Sequence, residues 1–209
     1  MSQEIPEKPV RGSHPVKQSR ARETRDRLLA AGFKLLRRKQ FDELSVADIA
    51  RAAGVSVGSF YVRFVDKDQY FLAIAESFRA QRHSDLEGLY DDATRDSLVE
   101  CALAREFAVV VGHANFWRAA LRKSVAEPDF WEDFREMGRQ SVKRFLERYA
   151  ELLGRALSEK ETEQIRFAFQ VVRGTLNNTL LNKPGPLQLD DPMFRRQIER
   201  AFRLVSGID

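Results

Sequence analysis

Few side chains in this chain could do covalent chemistry, and none stands at a catalytic spacing. The histidines are His14, His83 and His113. None belongs to an H-E-x-x-H pair, and the chain has neither a G-x-S-x-G elbow nor a glycine loop that would cradle a phosphate. Cys101 is the single cysteine; it can form no internal disulfide, which fits a reducing compartment, and its place in a helical stretch predicts a small buried residue. The chemistry that residue type and spacing do support is non-covalent. Residues Leu44 to Asp68 read LSVADIARAAGVSVGSFYVRFVDKD, in which Val57, Ser59, Tyr61, Val62 and Arg63 surround a short helix whose Phe60 and Phe64 must face inward. Hydroxyls, a cation and small apolar groups left outside such a helix bind a partner. The expectation is no enzyme, no metal and no cofactor.

The elements that position this surface can be read from their punctuation. Ser45 followed by Asp48 is a capping box that opens a helix over Val46–Ala53. Val46, Ile49, Ala50 and Ala53 recur at i, i+3, i+4 and i+7 along one apolar stripe of that helix. Gly54 supplies the left-handed residue at which such a helix ends. Val55 plugs inward, Ser56 caps a second helix over residues 57–64, and Gly58 costs that helix about 1 kcal/mol relative to alanine, which close approach to another surface would explain. Two helices joined by a short glycine-containing turn read either as an αα-corner of an ordinary all-helical protein or as a helix-turn-helix, whose second helix enters the DNA major groove.

Residues Thr24 to Phe71 resemble the DNA-binding domain of the TetR family of bacterial transcriptional regulators. TRDRLLAAGFKLL is similar to that family's first helix, FDELSVADIARAAGVS to its second helix and turn, VGSFYVRF to its recognition helix, and DKDQYF to the start of its fourth helix. The resemblance implies that Ser45, Ser56, Ser59, Tyr61 and Lys67 touch phosphates or the groove floor, and that Val57 and Gly58 face base edges. One position departs: the residue after the tyrosine is often aromatic or histidine in the family, and here it is Val62, followed by Arg63, to which the phosphate contact then passes.

Composition agrees. The 209 residues carry a net charge of +4, but residues 1–64 hold 13 Lys and Arg against 7 Asp and Glu, a net +6, and the remainder is net −2. A basic half that coincides with the helix-turn-helix suits a phosphate backbone. No apolar run is long enough to span a bilayer, and the N-terminus lacks the apolar core of a secretory signal, so a cytoplasmic protein without membrane contact is expected. Residues 1–18, with Pro6, Pro9, Gly12 and Pro15, should form a disordered basic tail; Lys17, Arg20, Arg22 and Arg25 extend it as an arm toward DNA. Residues 19–66 then make the helix-turn-helix domain, and 67–209 an effector-binding and dimerisation domain.

The fold class expected is all-α, with about nine helices. In the first of them, over about residues 20–39, Leu28, Leu29, Gly32, Leu35 and Leu36 make the core stripe, and Arg27, Lys34, Arg37 and Arg38 a solvated face. Asp66 with Gln69 should cap a fourth helix running to about Tyr90. Beyond Asp96, Leu98, Cys101, Ala102, Ala108, Val109 and Gly112 should point inward along one helix. Trp131, Phe134, Val142, Phe145, Tyr149, Leu152 and Ala156 should do so along a later one that Pro128 opens. Ser158 with Glu161 caps the penultimate helix, and Asp191–Pro192 starts the last. Between Ile165 and Val172 the penultimate helix is apolar on nearly all sides, the pattern of an element covered all round. The covering layer on its outer side would be a second copy of the chain, with Phe169, Val172, Leu176, Phe194, Ile198 and Phe202 at the interface, the alternative being one monomeric bundle with a thick core; the resemblance implies a homodimer built on these two helices.

His113, Asn115, Arg173 and Asn177 are polar residues set among apolar helices, and Trp117, Trp131 and Phe134 would supply apolar walls for a small-molecule effector. The same polar groups would serve equally as helix ends and ion-pair partners. The reading is a ligand-responsive regulator, a repressor by resemblance, that binds an inverted-repeat operator in double-stranded DNA as a homodimer. The alternatives are a dimeric small-molecule sensor or scaffold with a vestigial helix-turn-helix, and an architectural DNA binder without sequence choice.

Overall fold

The computed structural model describes the backbone of residues 14–208 and the side chains of residues 19–208. Among them the chain forms nine α-helices: α1 (His14–Leu36), α2 (Val46–Ala53), α3 (Val57–Tyr61), α4 (Lys67–Ser84), α5 (Leu98–Gly112), α6 (Ala114–Ala126), α7 (Glu132–Leu153), α8 (Glu159–Asn182) and α9 (Pro192–Ser206). Single 3-10 turns lie over Phe41–Glu43 and Pro128–Trp131. No strand occurs among the described residues. The class is all-α, as expected, and no described helix is long and apolar enough to cross a membrane.

The caps follow the sequence closely. Ser45 Oγ accepts from the Asp48 N–H (3.0 Å) while Asp48 reaches back to the Ser45 N–H (3.4 Å), which sets the start of α2. Gly54 ends that helix at φ 65° and Gly154 ends α7 at φ 66°. Ser158 and Glu161 close a second reciprocal box on α8 (2.8 and 3.2 Å), and Arg155 with this cap holds the Glu161 carboxyl down to about 2. Asp66 caps α4 in one direction only, accepting from the Gln69 N–H at 2.8 Å.

Several expectations are corrected. Residues 1–13 of the expected disordered tail lie outside the described residues, but 14–18 belong to α1, and Arg25 of the expected arm is paired with Glu76 of α4 at 3.2 Å. Helix α4 stops at Ser84 rather than near Tyr90, and turns lead on to Thr94. In α5 the buried face is Leu98, Val99, Ala102, Leu103, Phe107 and Val110, leaving Cys101, Ala108 and Gly112 exposed. That helix is apolar almost all round, so periodicity alone does not select its face. Ala156 lies beyond the end of α7 and is exposed.

A continuous core links the helix-turn-helix to the rest. Phe41 meets Phe71 of α4 (ring centroids 4.7 Å apart), Phe71 meets Phe116 of α6 (5.7 Å), and Phe116 meets Phe78 (4.7 Å) and Phe134 of α7 (6.4 Å). Farther on, Phe145, Phe169 and Phe202 form an edge-on trio at 5.1 to 5.9 Å that joins α7, α8 and α9. Aromatic contacts of this kind add roughly 0.5–1.5 kcal/mol each beyond the burial of their area.

The tightest approach is between α1 and α4. Tyr70 is fully buried, donates its hydroxyl to the Leu28 carbonyl at 2.7 Å, and sits over Gly32. A Cβ on Gly32 would meet the Tyr70 hydroxyl and would come within 2.7 Å of Ile74 Cδ1. Alanine there should gain about 1 kcal/mol of helix propensity and lose about 1–3 kcal/mol to overpacking. Gly32→Ala should therefore lower the thermal midpoint. Gly58→Ala, whose Cβ would meet nothing closer than Ser56 Oγ at 3.8 Å, should leave it unchanged or raise it. Thermal unfolding followed by circular dichroism reads both.

Candidate nucleic-acid interface and effector region

Helix α3 is clamped from one side and open on the other. Its inner residue Phe60 packs against Phe64 (5.4 Å) and Tyr70 (5.2 Å), and Phe64 against Tyr70 (5.1 Å). Phe64 donates to the Phe60 carbonyl at 2.9 Å, which closes a turn after the end of α3 at Tyr61. On the outer side Val57, Tyr61, Val62 and Val65 are 44%, 54%, 80% and 81% exposed. Gly58 lies among them, and no contact inside the chain requires a glycine there. The hydroxyls of Ser56 and Ser59 bond one another at 2.9 Å, with Ser56 Oγ also accepting from the Ser59 N–H at 3.1 Å.

The cations around this helix are committed to the protein. Arg63 donates from Nε to the Ala21 carbonyl (3.2 Å) and from Nη1 to the Ser59 carbonyl (3.2 Å), which ties α3 to α1 rather than leaving the guanidinium free for phosphate. Lys67 donates to the Asp42 carbonyl at 3.3 Å and lies 4.9 Å from the centre of the Phe41 ring. Arg27, expected on a solvated face, donates to the Ala53 and Gly54 carbonyls at 2.7 and 2.8 Å and so closes the C-terminus of α2. Arg51 of α2 pairs with Asp48 at 3.4 Å while its side chain stays 77% exposed. Of the residues expected to meet DNA, Ser45, Ser56, Val57, Gly58 and Tyr61 are exposed, Ser59 is half-buried, and Arg63 and Lys67 are anchored.

Of the residues expected around an effector, Trp117, Trp131, Phe134 and Asn177 lie together, and most of the polar groups of the set are paired. The Trp117 indole N–H donates to Asn177 Oδ1 at 2.8 Å. Trp131 stacks on Phe134 at 4.8 Å, and Trp117 meets both at 5.3 and 5.5 Å, so these rings fill the space they were expected to line. Arg173 forms two bonds to Glu106 (2.6 and 3.0 Å) and a third to the Gly138 carbonyl (3.1 Å). Gly138 admits it, since a Cβ there would lie 2.9 Å from Arg173 Nη1. His113 Nδ1 and the Tyr90 hydroxyl are buried with no partner among the described residues. Burial and the nearby Arg82 lower the His113 pKa, and burial pushes the Tyr90 phenol up to about 12.

Asn115 does not face a pocket. It donates to the Leu36 carbonyl, the last of α1, at 2.9 Å, and its own carbonyl accepts from Arg118 at 3.0 Å. Arg118 in turn donates to the Leu180 carbonyl of α8 at 3.3 Å. Three bonds thus run from α8 through α6 to the helix-turn-helix. Two ion pairs lie alongside, Arg122 to Asp42 (3.0 Å) and Lys123 to Asp68 (2.9 Å).

The expected subunit interface is corrected outright. Phe169, Val172, Leu176, Phe194, Ile198 and Phe202 are all buried inside their own chain, where α8 packs on α7 and α9. The outer faces of these helices expose Phe167 and Leu181 on α8, and Met193 and Leu204 on α9. Glu106, Gly138 and Tyr70 carry structural weight that the sequence reading did not assign. Glu106 carried a signal, as a carboxylate in the apolar run LVECALAREFAVVVG.

With this geometry in view, residues 28–74 match the family model described as bacterial regulatory proteins, tetR family. The chain is 39% identical over 80 residues to the uncharacterized HTH-type transcriptional regulator YwcC of Bacillus subtilis, a match that spans 38% of this chain and 35% of that one. It covers between 35% and 47% of the length of the two curated relatives that it matches first. Among solved structures it resembles a tetR-family transcriptional regulator from Streptomyces coelicolor, with a TM-score of 0.60 at 18% identity over 90% of this chain and 82% of that one. It also resembles the transcriptional regulator FadR from Bacillus subtilis, solved in complex with stearoyl-CoA, with a TM-score of 0.56 at 19% identity over 88% of this chain and 99% of that one. At these identities the structural likeness speaks for the fold.

The Arg173–Glu106 pair is the most buried charge contact of the C-terminal half, with side chains 29% and 12% exposed. Glu106→Gln should destabilise the fold by about 2–3 kcal/mol, toward the low end for a buried pair because the guanidinium keeps some water. Replacing both partners, Glu106→Leu with Arg173→Leu, should recover most of that loss. Urea unfolding of the two variants beside the parent chain reads the difference.

Proposed function

We propose, for a chain whose N-terminal domain is a tetR-family domain, that the protein is a DNA-binding transcriptional regulator acting as a homodimer on an inverted-repeat operator. The observation that carries this is the presentation of α3, locked on its inner face by Phe60, Phe64 and Tyr70 and open to solvent on its outer face. A sensor with a vestigial helix-turn-helix would have no reason to keep an apolar stripe in water.

In this reading Ser45, Ser56, Ser59 and Tyr61 meet phosphates, and Val57 and Gly58 approach the bases. Lys67 sits at the first turn of α4, where leaving the Asp42 carbonyl for a phosphate exchanges a neutral acceptor for a charged one and strengthens the bond. Arg63 positions α3 against α1. The outer faces of α8 and α9 pair with those of a second copy through Phe167, Leu181, Met193 and Leu204. A twofold pair then sets two α3 helices at a spacing matched to the helical repeat of DNA.

A small-molecule effector would act by favouring one spacing of the two heads over another. The Leu180–Arg118–Asn115–Leu36 connection supports this, because a shift of α8 or α6 displaces the end of α1 directly. Repression is the sign the family resemblance supports. The effector region would loosen around Trp117, Asn177 and His113, where a buried ring nitrogen has no partner to lose. The likeness to FadR, whose structure holds stearoyl-CoA, supports a helical C-terminal half able to open around a ligand.

The test is duplex binding followed by fluorescence anisotropy at two salt concentrations, on a duplex that the chain itself selects from a random library. Tyr61→Phe should weaken binding to every sequence alike, since phosphate contacts carry no sequence information. Phe167→Asp should give a folded monomer by sedimentation velocity that binds an isolated half-site and the whole repeat equally. A Phe167→Asp chain that remains dimeric would refute the interface.

A further inference from the structure

In the recognition segment Val57, Gly58 and Tyr61 belong to α3, Val62 caps its C-terminus and Val65 lies in the bend before α4, and all five are exposed while Phe60 and Phe64 are buried. Val62 and Val65 are 80% and 81% exposed and Val57 44%, so the middle of this surface is branched aliphatic. Single exposed valines are ordinary. Three within nine residues on the exposed side of a helix-turn-helix are apolar surface that calls for a partner.

The polar groups that usually read bases are missing from this stripe. Purines are read in the major groove by Arg or Lys on guanine and by Asn or Gln on adenine, and cytosine by Asp or Glu. The stripe contains none of these types. The nearest guanidinium, that of Arg63, is held by the Ala21 and Ser59 carbonyls. The Ser56 and Ser59 hydroxyls hold each other. Among base edges in the major groove, the thymine C5-methyl is the group that an aliphatic side chain recognises.

We infer that this protein reads its operator through thymine methyl groups, which pack against Val57 and Val62 while Gly58 lets the helix backbone come close. The inference rests on the DNA-binding reading above and adds the chemistry of the bases chosen. Net positive charge in residues 1–64 and the largely exposed Arg51, paired only with Asp48 at its surface, complement the phosphates that flank such a groove, so affinity comes from charge and selectivity from methyl contact.

The experiment uses the full chain and a duplex enriched from a random library, resynthesised with deoxyuridine in place of thymidine. Uracil pairs as thymine does and lacks only the C5-methyl. Each half-site thymine that meets a valine should cost about fourfold in affinity when replaced, the transfer value of one buried methyl-sized group, with the salt dependence unchanged. Deoxyuridine placed between the half-sites should cost nothing. Val57→Ala and Val62→Ala should bring the thymine-to-uracil affinity ratio toward one; both side chains are exposed enough to leave the fold intact.

A chain that enriches a duplex but binds its uracil form equally well overturns the methyl readout and leaves DNA binding standing. Equal losses from half-site and spacer uracil would assign the effect to duplex stiffness and also overturn it. A chain that enriches no duplex overturns the DNA-binding reading and this inference with it.

Discussion

The Tyr70 hydroxyl, bonded to the Leu28 carbonyl and seated over Gly32, is the contact on which the helix-turn-helix depends. Its ring is shared by Phe60 and Phe64, so one side chain from α4 fixes both α1 and α3. A buried phenol without a partner is costly. Here the carbonyl satisfies it, and burial raises its pKa well above the usual phenol range. Because the first turn of α4 packs on α1 and α3 and the helix continues to the C-terminal bundle, its direction and the orientation of α3 are one variable.

The second constraint is that the two halves share a core. The aromatic series from Phe41 through Phe71 and Phe116 to Phe134 leaves no solvated seam at which they could rotate freely. Polar contacts cross the same boundary: Asn115 on the end of α1, Arg122 on Asp42, and Lys123 on Asp68. The exposed ion pairs are worth little individually. The Asn115 bond matters more, because it satisfies a helix-terminal carbonyl that packing has partly withdrawn from water. Movement of α6 would therefore be passed to α1 rather than absorbed, which is the property that a regulator with separate input and output sites needs.

Much of this was legible in the sequence where local chemistry decides it. The bounds of α2, its Ser45–Asp48 box and its glycine end could be read from residue types alone, because caps are local. The inward direction of Phe60 and Phe64 followed from spacing. What the sequence hid was the identity of the covering layer. Periodicity shows that Phe169, Val172 and Phe202 must be buried; it does not show whether by the same chain or another, and the structure buries them at home. The all-round apolar α5 hid its face in the same way, which is why Cys101 is outside. Arg27, Arg63 and Asn115 read as surface or pocket groups because their acceptors are backbone carbonyls of other elements, such as those of Ala53, Ala21 and Leu36, and side-chain spacing carries no record of these.

The central claim is that α3 is the surface that meets a duplex. Amide hydrogen exchange of the full chain, with and without a duplex that it selects, tests this most directly. Slowed exchange confined to the segment from Ser45 through Tyr70, strongest at residues 57–64, is the predicted result. Protection that falls on α8 and α9 alone, with α3 exchanging as fast as in the free protein, would contradict it.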